Sequence, residues 1–118
     1  MTEKEFWQFL EQRGKTSMTS GYTITGGVAM DAVGEYLGGH ALLPKDYDNL
    51  TKEEIKEIGE LLFQKNVGQK TKEAVLILLA HQVSEQALAI LKRYNLNPDK
   101  GLIIFAELAL DESLMWNE

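Results

Sequence analysis

Two histidines, His40 and His81, an acidic run at Asp46-Tyr47-Asp48-Asn49 and a scatter of glycines from Gly26 to Gly39 are the residues here whose types could do chemistry. A helical metal site needs two imidazoles about one turn apart, as in H-x-x-x-H, and the two histidines meet no such spacing. The chain has no cysteine, so thiolate zinc sites and disulfides are excluded, and the expectation is no metal and no cofactor. The acidic run opens like a calcium loop, but Leu50 stands where an oxygen ligand is needed and Thr51 where the turn glycine belongs. It reads instead as a turn before a helix. Gly26, Gly27, Gly34, Gly38 and Gly39 form neither G-x-G-x-x-G nor G-x-x-x-x-G-K-[ST], so they read as close packing or loop freedom rather than a phosphate cradle. Carboxylate pairs such as Glu53-Glu54, Glu57 with Glu60, and Asp111-Glu112 read as solvated helix faces, because acid–base work needs a shifted pKa in a cleft.

Two function classes follow from what is left. The leading one is a protein-interaction module, an adaptor or an immunity-type regulatory protein, with aromatic anchors at Trp7, Tyr36, Tyr47 and Trp116. Trp7 lies off the Phe6, Phe9, Leu10 stripe, and Trp116 follows the last regular helical turn, where it can also seal the end of a helical stack. The alternative is a small enzyme or ligand-binding protein with a pocket of His40, Asp46 and Tyr47 beneath the loop of residues 15–27, since long irregular loops are often functional. His81 ends a helix, where the macrodipole favours a cation, and reads as structural.

The elements that must position these residues are helical. Thr2 with Glu5 forms a capping box ahead of Phe6, Phe9 and Leu10, with Gly14 as a stop. Residues 15–27 hold four Thr, two Ser and three Gly, which favour turns, so this is the expected long mobile loop. Ala29, Met30, Val33, Tyr36 and Leu37 predict a second helix that Gly38-Gly39 ends. Thr51 with Glu54 forms another capping box, and Ile55, Ile58, Leu61 and Leu62 mark the inner face of a helix reaching residues 66–68. Three more helices are expected: one over 71–81 capped by Thr71, one capped by Ser84, and one opened by Pro98 and running to about Asp111. The helices over 71–81 and 101–110 are apolar all round, which marks interior elements, and the predicted core centres on Val75, Leu76, Leu79, Leu88, Leu91, Ile104, Phe105 and Leu108.

A shift of 29 residues aligns Val75 with Ile104, Leu79 with Leu108, Ala80 with Ala109 and Ser84 with Ser113, a period in the range of stacked helical units. The stretch TKEAVLILLAHQVSEQALAILKRYNLNPDKGLIIFAELALDES, within residues 51–115, resembles the helical hairpins of HEAT-type and armadillo-type repeats. The elements predict an all-α fold of five to six helices, a right-handed α–α superhelix or an irregular bundle; the resemblance implies the superhelix or a small right-handed helical stack, whose relatives mostly bind other proteins. It carries over no functional residues.

Composition sets the remaining bounds. A chain of 118 residues, 44% hydrophobic and 25% charged, suits one folded domain over residues 1–118. Twelve Lys and Arg are interspersed with 18 Asp and Glu for a net charge of -6, which disfavours nucleic acid and favours a basic protein partner whose association weakens with salt. No signal peptide or membrane span is evident, and the absence of cysteine fits a reducing compartment, so the expected location is cytoplasmic.

Overall fold

Helices begin where a side chain can satisfy the first unpaired N–H groups of the backbone. Thr2 and Glu5 do this reciprocally, Glu5 N–H donating to Thr2 Oγ1 at 3.1 Å and Thr2 N–H to Glu5 Oε1 at 2.7 Å. Thr51 and Glu54 repeat the device at 3.1 and 2.8 Å. Ser84 caps through its hydroxyl, which accepts from Ala87 N–H at 3.2 Å. The computed structural model describes residues 1–14 and 50–117, and there the fold is all-α, with no strand among the described residues. Five helices run in order: α1 (Glu3–Gly14), α2 (Lys52–Glu60) extended by a 3-10 turn at Leu61–Phe63, α3 (Gln69–Ala80), α4 (Glu85–Leu96), then a 3-10 turn at Lys100–Leu102 and α5 (Ile103–Trp116). The loop expected over 15–27 and the helix expected near 29–37 lie outside the described residues.

Helix α3 is the axis of the structure. From Thr71 to Ala80 every residue is buried, because Ala74 through Ala80 offer apolar side chains in all directions. Helices α2, α4 and α5 pack directly on it, and Phe6 and Leu10 of α1 join the same core. Helix α2 also lies on α4, and α3 on α5, while α4 and α5 pack closely on each other. Gly59 allows the α2–α4 approach: a Cβ there would stand 2.7 Å from Ile90 Cδ1.

Three sequence expectations change. Thr71 does not cap α3; Gln69 and Lys70, both good helix formers, carry the helix back to Gly68, and Thr71 becomes an interior residue. Pro98 does not open α5, which starts after the 3-10 turn and continues to Trp116. Helix α5 is not an interior element: Phe105, Ala106 and Ala109 are buried, but Ile104, assigned to the core, is 53% exposed. Among the described residues α5 packs chiefly on α3 and α4, which cover one of its sides. Leu88 and Leu108 are half-buried. The 29-residue shift therefore pairs unlike positions, since Val75 is buried where Ile104 is not, and Ser84 is a cap whereas Ser113 is buried inside α5. The caps mark a longer spacing, Thr51 to Ser84 being 33 residues and Gly68 to Leu102 being 34.

Two substitutions separate the covered and open sides of the core. Leu79→Ala, at a fully buried position, should lose roughly 2–5 kcal/mol in urea unfolding. Ile104→Ala should lose less than about 1 kcal/mol, close to the range of surface positions.

Candidate functional site

A helix buried from Thr71 to its C-terminus must find partners for the polar groups it takes out of water, and these account for most of the buried polar side chains. At the α3 N-terminus the cap residue Gly68 has no side chain, and Glu3 of α1 takes its place, its Oε2 accepting from Gly68 N–H at 3.2 Å and from the Thr71 hydroxyl. Thr71 Oγ1 in turn accepts from the Trp7 indole N–H at 2.9 Å. Trp7, an expected partner anchor, is thus half-buried against the core with its polar edge committed to α3.

One turn on, the ammonium of buried Lys72 lies 2.9 Å from Asp99 Oδ2, which also accepts from the Tyr94 hydroxyl. Burial pushes the Asp99 carboxyl up, but its bonds to Tyr94 and Lys72 outweigh this and hold it below the usual carboxylate range. Burial, reinforced by the bond to Asp99, pushes the Tyr94 phenol up. These three groups converge as in an acid–base site, yet the donors of both Lys72 and Tyr94 point at the same carboxylate. The cluster ties α3 and α4 to the connection before α5.

At the other end of α3, His81 Nδ1 lies 2.8 Å from the Ile77 carbonyl and Nε2 lies 2.7 Å from Glu112 Oε2. The ring thus bridges the last turn of α3 to Glu112 and fastens α5 to α3. Trp116, the second expected anchor, is 50% exposed and tilts its ring over His81 with centroids 6.3 Å apart. Asn117 Nδ2 donates to the Gln82 carbonyl at 3.1 Å, closing this end. Tyr36 and Tyr47, and the alternative pocket of His40 and Asp46 with the 15–27 loop, lie outside the described residues. Among the described residues no three His, Asp or Glu side chains converge where a metal could sit, and no helix is long and apolar enough to cross a membrane.

Two surface features remain. A groove of about 580 Å³ runs between α2 and α4, with Phe63 and Ile90 among its lining and Lys56 and Arg93 as its cations. The Arg93 guanidinium sits 4.1 Å above the Phe63 ring, so one of those cations already covers its aromatic wall. The outer side of α5 is more unusual. At about 100° per residue, Glu107 and Asp111 fall in the middle of the exposed arc. Ile103, Leu110 and Leu114 line one flank, and Ile104, Leu108 and Met115 the other. Ile103 is 49% exposed and Met115 is 70% exposed. Among the described residues neither Glu107 nor Asp111 has an ion-pair partner, and a depression of about 480 Å³ lies against both, lined also by Ile104, Leu108 and Asn95 of α4. Sequence reasoning missed this face by taking α5 as interior, although the four-residue spacing of Glu107 and Asp111 was a signal that one side met water.

No family model, curated protein or solved structure matches the chain.

Asp99 should be visible in the pH dependence of stability. A carboxyl with a lowered folded-state pKa contributes stability above its ordinary value near pH 4 and loses it as pH falls through the folded value. Between about pH 5 and pH 2 the wild type is expected to lose more unfolding free energy than Asp99→Asn, as measured by urea titrations across that range.

Proposed function

We propose that this chain is a protein-interaction module, an adaptor or immunity-type regulator of the cytoplasm that acts by presenting a helical surface to another protein rather than by converting a substrate. One observation carries the reading: the outer side of α5 keeps Ile103, Ile104, Leu114 and Met115 in water along a regular helix. Burying a large apolar side chain is worth roughly 1.5–3 kcal/mol, and contiguous apolar surface left exposed on a folded domain marks interaction sites. Trp116 sits at the end of that helix, half exposed, and remains an anchor in this reading.

A HEAT- or armadillo-like stack is the architecture we infer for α2 to α5. Supporting it are the 33- and 34-residue cap spacings and the contacts of α2 with α4 and of α3 with α5, as expected of hairpins stacked in two layers. In such a stack α5 is the last helix of its layer, and its outer side is where a further unit or a partner would pack.

Affinity enrichment of tagged wild type beside an Ile104→Ser/Met115→Ser variant, followed by reconstitution with the purified partner, tests the proposal. The expected outcome is a stoichiometric complex for wild type and none for the variant, at unchanged helical content by circular dichroism. A partner retained equally by both proteins would remove α5 from the interface.

A further inference from the structure

The occupant of the α5 face can be narrowed by charge. Glu107 and Asp111 sit between its two apolar rows, exposed and, among the described residues, without a cation. Any surface that covers the rows must cover the carboxylates, and taking an unpaired carboxylate out of water is costly. A second copy of this chain would bring Glu107 and Asp111 of one protomer against the same residues of the other, four carboxylates in one contact. An anionic lipid surface would meet the same repulsion.

We infer that the α5 face takes an amphipathic basic helix of a partner protein. Its apolar side chains lie along the row of Ile104, Leu108 and Met115, and Lys or Arg at its margin pair with Glu107 and Asp111. A helix fits because the rows run along α5, and helix-in-groove recognition reads anchors at three- and four-residue spacing. The depression bounded by Asn95, Ile104 and Leu108 gives one anchor side chain a seat. The net charge of -6 draws a cationic partner in, and the two central acids fix where it docks. The inference rests on the interaction-module reading and names the partner chemistry for the same face.

The test uses the full chain and synthetic helical peptides: a leucine–lysine amphipathic helix, its counterpart with Glu in place of Lys, and vesicles of phosphatidylserine and phosphatidylcholine. Fluorescence anisotropy of labelled peptide should show saturable one-to-one binding of the lysine peptide, weakened by added salt, and none of the glutamate peptide. Glu107→Gln/Asp111→Asn should weaken binding by about three- to thirtyfold, the range that two well-placed charge pairs supply. Glu11→Gln/Glu53→Gln, with the same net charge but acids lost from α1 and α2, should change it less than about twofold. Equal losses in the two charge variants, equal binding of the two peptides, or no binding of the lysine peptide would overturn the inference. So would vesicle binding or a dimer in sedimentation that Ile104→Ser abolishes. If the reconstituted partner is lost by Ile104→Ser/Met115→Ser but held unchanged by Glu107→Gln/Asp111→Asn, the interaction module stands and the basic helix falls.

Discussion

Seven consecutive apolar residues, Ala74 to Ala80, take one helix out of water on every side, and the rest of the structure answers to that. The buried end of such a helix leaves carbonyls that water cannot reach, each orphan costing about 1–3 kcal/mol, while the N–H groups of its exposed first turn, at Gly68 to Lys70, still gain from a cap. Glu3, 65 residues from Gly68 in the chain, caps the N-terminus and in doing so sets where α1 docks. Asp99 meets Lys72 and thereby fixes the connection between α4 and α5. At the far end His81 and Gln82 turn back on the Ile77 and Leu78 carbonyls, and Glu112 and Asn117 reach over from the end of α5. Helices at both ends of the chain are thus held by the polar demands of the one between them.

Local signals were legible and long-range ones were not. The boxes of Thr2 with Glu5 and Thr51 with Glu54, and the Ser84 cap, can be read because both partners lie within three residues. Thr71 resembled a cap for the same reason, being a threonine ahead of an apolar run. Its hydroxyl serves instead as the middle of a chain from the Trp7 indole to the Glu3 carboxylate, with partners 64 and 68 residues away. Spacing within α3 carries no trace of that arrangement, and so Trp7 could be placed off its apolar stripe but not onto Thr71.

The misreading of α5 has a different origin. Apolar letters state what a helix prefers to contact, and they do not count its neighbours. Among the described residues helix α3 has α2, α4 and α5 against it and spends every apolar side chain, while α5 packs chiefly on α3 and α4 and keeps half of its own in water. Val75 and Ile104 are the same kind of residue in the same kind of helix, and topology alone separates them. Two of the three acids of α5, Glu107 and Asp111, were the distinguishing mark, since a buried position with no cation nearby would not tolerate them.

In the interaction reading proposed above, those acids would also keep such a helix from sealing itself against a copy of its own. An apolar strip of two parallel rows is self-complementary under a two-fold axis, which favours homodimers. A line of like charges down its middle is not, because the axis superposes the line on itself. Repulsion at close range and low dielectric then works against the hydrophobic gain at the same contact, and it grows as water is excluded. With a cationic surface the sign reverses, and excluding water strengthens both contributions together. In that proposal the same pair of side chains raises the free energy of self-association and lowers that of a basic complex, which is a discrimination that apolar residues alone cannot provide.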